Sequence, residues 1–170
     1  RKLTEHLITR PLLSRAYLVL GPVQALAAMA AFYYYYWTNG YAGQWLDLPG
    51  SGPIYRAATS MALASVVFTQ IGNLFAQRST RRSIFKTPLF NNKLIWFGIL
   101  SELLIILAIV YVPFMQRFIG TGPFELKYWL FHLLLIPSLP LADAVRKAAQ
   151  KQKDKRVLQK QQLAEKGETL

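Results

Sequence analysis

Four polar side chains interrupt long apolar stretches of the sequence: Gln24, Gln70, Asn73 and Glu102. Burying an amide or a carboxylate in hydrocarbon costs free energy unless the group is hydrogen-bonded, paired or hydrated. Two roles fit these residue types. They can form hydrogen bonds between helices, worth about 0.6 kcal/mol each on average, or they can line a cation or proton pathway. Hydrogen bonding between helices is the simpler interpretation for Gln24 and Asn73, whereas both roles stay open for the ionisable Glu102.

One further polar residue, His132, interrupts the last apolar stretch. The only other histidine, His6, precedes the first apolar stretch, so no second imidazole is available nearby for a metal site. We expect His132 to have a hydrogen-bonded packing role. The sequence contains no cysteine, which excludes disulfides and thiolate chemistry.

The elements that carry these residues are long apolar helices. The chain has 170 residues, 53% of them hydrophobic, and the apolar residues are concentrated in blocks instead of being scattered at core spacing. A hydrocarbon core about 30 Å thick requires about 20 helical residues. Residues 16–38, 57–77, 94–112 and 125–143 meet this requirement. The sequence therefore predicts an all-α membrane protein with four transmembrane helices in a bundle.

The basic residues indicate how these spans are oriented. They are concentrated before the first span, between the second and third spans, and after the fourth, while only Arg56, Arg117 and Lys127 lie on the other side. The positive-inside rule therefore predicts that both termini are cytoplasmic. The predicted domains are a cytoplasmic lead-in (residues 1–15), a four-span transmembrane domain (residues 16–143) and a basic cytoplasmic tail (residues 144–170).

A net charge of +12 is also found in proteins that bind nucleic acid, where basic patches neutralise phosphates. Here membrane topology accounts for the distribution of the basic residues, and no nucleic-acid recognition motif accompanies them. We expect no nucleic-acid partner. The basic tail is expected to contact water and, through its charge, the anionic headgroups of membrane lipid.

The predicted topology places the four polar side chains in one layer. With a rise of 1.5 Å per residue, Gln24 and Glu102 lie about 12 Å from the cytoplasmic ends of their spans, Gln70 about 10 Å and Asn73 about 6 Å. All four therefore belong to the cytoplasmic half of the bilayer. His132 lies deeper, toward the outer half.

The first span carries two further patterns. Gly21, Ala25 and Ala28 form a small-residue stripe at helical spacing, which allows another helix to approach closely. Pro22 is expected to bend the helix near its cytoplasmic end. The aromatic run at residues 32–37 predicts an anchor at the outer membrane interface.

Several short motifs occur in a characteristic order along the chain. They are "GPVQAL" and "NGY" in the first span, "TSMALASVVFTQIGNLF" in the second, "RSTRRSIFKTPLFNNKLIWFGIL" leading into the third, and then "YVPF", "GTGPF" and "DAVRK". Their order and spacing resemble the C-terminal membrane region of P-type cation-transporting ATPases, specifically the seventh to tenth transmembrane helices. The resemblance covers the chain up to about Gln150.

The resemblance implies that the chain is the membrane-support region of a pump that moves Ca²⁺, Na⁺ or H⁺. The remaining transmembrane helices of that pump would be its partners, and the membrane would be the plasma membrane, or the inner membrane of a bacterium. The aspartyl-phosphate motif Asp-Lys-Thr-Gly does not occur in the sequence, so the chain alone is not expected to hydrolyse ATP. ATP and Mg²⁺ would bind in cytoplasmic domains outside this chain.

The resemblance also implies roles for individual residues. Gln70 matches a position that is glutamate in reticulum-type calcium pumps and glutamine in sodium/potassium-type and plasma-membrane calcium pumps. Glu102 matches a ninth-helix glutamate linked to an additional sodium site. Gln70 and Glu102 are therefore expected to be cation ligands, since amide and carboxylate oxygens suit Na⁺ and Ca²⁺. Asn73 replaces an aspartate of sodium/potassium-type pumps, which removes a charge. The first outer loop lacks the segment that holds a beta-type accessory subunit, so none is expected.

Two alternatives to the pump remain. A free-standing four-span scaffold or accessory subunit without catalytic activity would satisfy its polar groups internally. A small antiporter that uses Glu102 and His132 would require internal repeats, and the two pairs of spans show none.

Overall fold

The structure, a computed structural model, describes residues 16–78 and 93–167. The helical elements are a π-helical turn (Ala16–Leu20), α1 (Gly21–Thr38), α2 (Gly52–Arg78), α3 (Lys93–Tyr111), α4 (Pro113–Ile119), α5 (Lys127–Leu135) and α6 (Ser138–Gly167). The predicted lead-in and most of the basic loop between the second and third spans lie outside the described residues. The π-helical turn ends directly before α1, whose second residue is Pro22; the bend predicted at Pro22 stays a prediction.

Four helical stretches are long and apolar enough to cross a membrane: Tyr17–Thr38, Gly52–Phe75, Lys93–Tyr111 and Lys127–Ala149. The four-span, all-α prediction is confirmed. Because successive spans run in opposite directions, the α1–α2 loop and α4 lie at one end of the bundle, which we call the loop end. The other end, where α2 finishes and α3 begins, is the termini end, and its assignment to the cytoplasm stays a prediction.

The helix α2 forms the centre of the bundle. Half of its apolar stretch is buried inside the protein, whereas in the other three spans the buried share of the apolar stretch is between 11% and 22%. The core cluster consists of Ala31, Ala57, Met61, Ala64, Ile106, Val110, Phe124 and Tyr128. The other spans therefore leave most of their apolar surface available for lipid or for further helices.

The second span begins at Gly52, five residues before the predicted start at residue 57. The sequence interpretation took Pro53 as part of the loop. Proline is compatible with the first turn of a helix, because the N–H that it lacks would have no partner there. The prediction was therefore wrong at this boundary, although it was right about the span.

The fourth span consists of two helices, α5 and α6, instead of the single helix predicted for residues 125–143. Pro137 has no N–H to donate to the Leu133 carbonyl, and the Ile136 N–H donates to that oxygen instead, at 3.3 Å. Pro140 likewise cannot donate to the Ile136 carbonyl four residues before it. The two prolines therefore interrupt the helical hydrogen bonds over one turn.

Gly72 of α2 packs directly against this break. A Cβ atom at Gly72 would overlap the Ile136 carbonyl oxygen and would lie 2.9 Å from the Ile136 carbonyl carbon and 3.2 Å from Pro140 Cδ. Only glycine allows the two backbones to approach so closely. The missing side chain of Gly72 therefore sets how close α5 and α6 can lie to α2.

Candidate functional site

Three of the four predicted polar side chains meet between α1 and α2. Gln24 Nε2 donates a hydrogen bond to the Val66 carbonyl at 3.3 Å, Gln70 Nε2 donates to Gln24 Oε1 at 3.3 Å, and Asn73 Nδ2 donates to Gln70 Oε1 at 3.4 Å. We call Gln24, Gln70 and Asn73 the amide chain. Residues 66, 70 and 73 lie on one face of α2, because helical residues three or four apart are neighbours.

The amide chain ends in an unsatisfied acceptor. Each hydrogen bond runs in the same direction, from Asn73 toward the Val66 carbonyl, so Asn73 Oδ1 receives nothing from the other members of the chain. This oxygen is buried, and no hydrogen-bond partner for it occurs in residues 16–78 and 93–167. An unpaired buried acceptor typically costs about 1–3 kcal/mol. A proton donor, a water or a cation at Asn73 Oδ1 would remove this cost.

Glu102 lies on α3 at the level of the amide chain. The rings of Phe75 on α2 and Trp96 on α3 are 6.3 Å apart, which fixes the register of the two antiparallel helices. Glu102 follows Trp96 by about 9 Å along α3, and Gln70 precedes Phe75 by about 8 Å along α2. Both side chains therefore lie at nearly the same distance from the termini end.

Glu102 contributes a second buried oxygen without a partner. Its Oε2 atom has no hydrogen-bond partner within the part of the chain that the structure describes, and no hydrogen bond there joins Glu102 to the amide chain. A buried carboxylate requires a cation, a proton or water. Asn73 Oδ1 and Glu102 Oε2 are thus two hard oxygen acceptors toward the termini end of the bundle, on residues whose positions differ by about 6 Å along the helix axes.

These two oxygens do not form a complete metal site. A Ca²⁺ ion takes six to eight oxygen ligands, and the described residues contain no group of three or more His, Cys, Asp or Glu side chains that could hold a metal ion. Any cation bound here would need further ligands from other helices or from water. The arrangement can therefore supply part of a coordination shell.

The small-residue stripe predicted on the first span faces away from α2. Gly21 and Ala25 are exposed and Ala28 is half-buried, whereas the buried alanines of α1 are Ala27 and Ala31. Sequence analysis missed the Ala27 face, although its spacing from Gln24 places both on one side of the helix. The stripe remains open in the described structure.

His132 lies outside this polar layer. It is fully buried, and its two ring nitrogens each lie 2.9 Å from a backbone carbonyl: Nδ1 from that of Tyr128 and Nε2 from that of Met61. Met61 precedes Gln70 by nine residues, about 13 Å along α2. The hydrogen-bonded packing role predicted for His132 is confirmed, since it joins α5 to α2.

Comparison with known proteins identifies the family. The model for "Cation transporting ATPase, C-terminus" matches residues 1–149. The chain belongs to this family. It therefore corresponds to the C-terminal transmembrane region of P-type cation-transporting ATPases, and it is a multi-pass membrane protein.

Individual relatives include pumps for different cations. The chain is 31% identical to "Calcium-transporting ATPase 1" of Yarrowia lipolytica over 96 residues, which cover 56% of this chain and 10% of the relative. It is 31% identical to mouse "Calcium-transporting ATPase type 2C member 2" over 77 residues, 45% of this chain and 8% of the relative. It is 24% identical to rat "Sodium/potassium-transporting ATPase subunit alpha-4" over 168 residues, covering 85% and 16% respectively. The chain thus spans no more than about a sixth of these relatives.

This cation-ATPase region contains one buried acidic site that sequence analysis did not single out. Asp143 is only 2% exposed, and its carboxylate pairs with Arg146 at 3.0 Å and with Lys147 at 2.9 Å. The spacing i, i+3, i+4 was visible in the "DAVRK" motif. Sequence analysis used this motif only for the family resemblance. The cluster lies at the start of the basic tail, through which α6 continues as helix to Gly167.

Proposed function

We propose that this chain is the membrane-support region of an ATP-driven cation pump and that it contributes polar groups to the ion pathway. The observation that carries the proposal is the pair of buried, unpartnered oxygens, Asn73 Oδ1 and Glu102 Oε2, on neighbouring spans toward the termini end of the bundle. Gln70 and Gln24 belong to the same pathway, because they orient Asn73 through the amide chain.

The chemistry of these groups favours a cation over other occupants. Amide and carboxylate oxygens are the ligands that hard cations such as Na⁺ and Ca²⁺ prefer, and Glu102 supplies the negative charge. Gln70 and Glu102 are the proposed ligands on sequence grounds, and the unpartnered oxygen of Asn73 adds a third. The names of the relatives include both calcium and sodium/potassium pumps. The proposal is therefore a cation site without a chosen ion.

The rest of the pump would supply what this chain lacks. Because the chain covers only 8–16% of the relatives described above, we place the ATP- and Mg²⁺-binding domains and the remaining ion ligands in other parts of the protein. The exposed stripe of Gly21 and Ala25 would receive another transmembrane helix of the pump, since small residues permit close helix packing. We expect a plasma-membrane location, or the inner membrane of a bacterium, and no beta-type subunit.

The proposal is tested by replacing Gln70 with alanine in the full-length protein and measuring ATPase activity as a function of cation concentration. We expect apparent cation affinity to fall by about tenfold, equivalent to about 1.4 kcal/mol. Thr59→Ala is the matched control: Thr59 lies on the same helix, and within the described residues its hydroxyl donates only to the Tyr55 carbonyl. Equal cation dependence in both variants would mean that the amide chain only holds α1 and α2 together.

A further inference from the structure

The short helix α4 presents two uncovered aromatic rings. Phe114 is 70% exposed and Phe118 is 82% exposed. They lie one helical turn apart and stack on each other, with ring centres 6.5 Å apart and planes 11° apart. Large apolar groups that are this exposed indicate a contact with something apolar outside the described residues.

The position of α4 is fixed by hydrogen bonds to the last turn of α3. Gln116 Nε2 donates to the Val110 carbonyl at 2.6 Å, and Thr121 Oγ1 donates to the Ile109 carbonyl at 2.8 Å. Carbonyls in the last turn of a helix have no partner within that helix. The segment from Gln116 to Thr121 therefore caps α3 and holds α4 beside its end.

The length of α3 indicates the depth of α4. Its 19 residues correspond to about 28 Å of helix, close to the thickness of the hydrocarbon core. Its last residue is Tyr111, whose hydroxyl accepts a hydrogen bond from Trp129 Nε1 at 3.0 Å. Tyr and Trp are enriched where hydrocarbon meets headgroups. If α3 spans the bilayer, α4 lies at this boundary.

The two faces of α4 differ in the way an interfacial helix requires. Phe114 and Phe118 share one face, while Gln116 lies on the opposite side and bonds to α3. Arg117, in the last turn, is exposed and is close enough to the phenylalanine face to reach lipid phosphates when the rings enter the acyl region. Leu107, in the last part of α3, is exposed as well.

We propose that α4 is an interfacial helix that inserts Phe114 and Phe118 into the lipid leaflet at the loop end of the bundle. Arg117 contacts the phosphate groups of the same leaflet. The partner is a lipid surface, and the helix anchors the end of α3 at a fixed depth. This inference requires only that α3 spans a membrane, so it is independent of the proposed ion pathway.

The test is a depth measurement on the full-length protein reconstituted into phosphatidylcholine vesicles. A cysteine is introduced by Phe118→Cys, and separately by Phe114→Cys, in a background without other reactive cysteines; this chain contributes none. Each is labelled with an environment-sensitive fluorophore. Quenching is then measured with doxyl groups near the headgroup end of the acyl chains and with aqueous iodide. Ser51→Cys, at an exposed polar position of the same end, is the control.

We expect both α4 labels to lose most of their emission to the lipid-borne quencher and little to iodide, with the reverse pattern for the Ser51→Cys label. Quenching of the α4 labels by iodide, as in the control, would place α4 in water and overturn the inference. Quenching by neither agent would mean that another protein segment covers the rings, which would overturn it as well. Two separate positions protect the result against misfolding of one variant.

Discussion

The substitution Gly72→Ala tests how the broken fourth span is held against α2. The added Cβ would overlap the Ile136 carbonyl oxygen and would lie 2.9 Å from its carbon, whereas ordinary contact begins at 3.4 Å. The obstructing atoms belong to backbone, which cannot turn aside as a flexible side chain does. The helices α5 and α6 must therefore move away from α2 as a unit.

The loss of stability in Gly72→Ala follows from the size of that displacement. The Ile136 carbon alone must retreat by about 0.5 Å, and the carbonyl oxygen by more. Inserting a methyl group into a well-packed interior typically costs 1–3 kcal/mol. We expect about 3 kcal/mol, the upper end of this range, because rotamer changes cannot relieve the overlap.

The assay is thermal unfolding of the purified full-length protein, with Gly98→Ala as the matched control. Gly98 also lies inside a transmembrane helix, but a Cβ there would meet nothing within 4 Å. Replacing this helical glycine with alanine should stabilise by about 0.5–1 kcal/mol. The reasoning is refuted if Gly72→Ala unfolds at the same temperature as Gly98→Ala.

Two further substitutions test buried polar contacts. His132→Phe should lower stability by about 1–3 kcal/mol, because the Met61 carbonyl loses a buried partner; unchanged thermal unfolding would show that the bridge between α5 and α2 is dispensable. Asp143→Asn should lower stability by about 1–3 kcal/mol, because the buried carboxylate loses its ion pairs with Arg146 and Lys147. The loss is smaller than for a fully buried pair, since both basic side chains are partly exposed. Proteolysis of α6 should become faster in this variant, and an unchanged rate would contradict a structural role for the carboxylate.

The number of spans could be predicted from the sequence, because the hydrocarbon thickness imposes a minimum length that the four apolar stretches meet. The break in the fourth span could not be predicted in the same way. Pro137 and Pro140 were visible, but transmembrane helices tolerate proline when neighbouring groups compensate. The displaced backbone is accommodated by Gly72, a residue on another helix, and the sequence alone does not show that these two segments meet.

The sequence predicted how deep the residues of the candidate site lie along their spans, but not all of the contacts between them. Helical spacing places residues 66, 70 and 73 on one face, and the rise per residue placed Gln24 at a similar depth, so their contact is a consequence of α1 packing on α2. The rotation of α3 was not predictable, because that helix is apolar around most of its circumference. Consequently the sequence predicted the level of Glu102 but not whether its carboxylate would reach the amide chain.

The most direct test of the ion-pathway account is a cation titration of ATPase activity in full-length protein carrying Glu102→Gln. Ser101→Ala is the control, because Ser101 is adjacent on α3 and, in the part of the chain that the structure describes, its hydroxyl donates only to the Phe97 carbonyl of its own helix. We predict that Glu102→Gln weakens apparent cation affinity by about tenfold, or about 1.4 kcal/mol, with unchanged thermal unfolding, while Ser101→Ala retains the original affinity. The same cation affinity in both variants would contradict a place for Glu102 in the ion pathway.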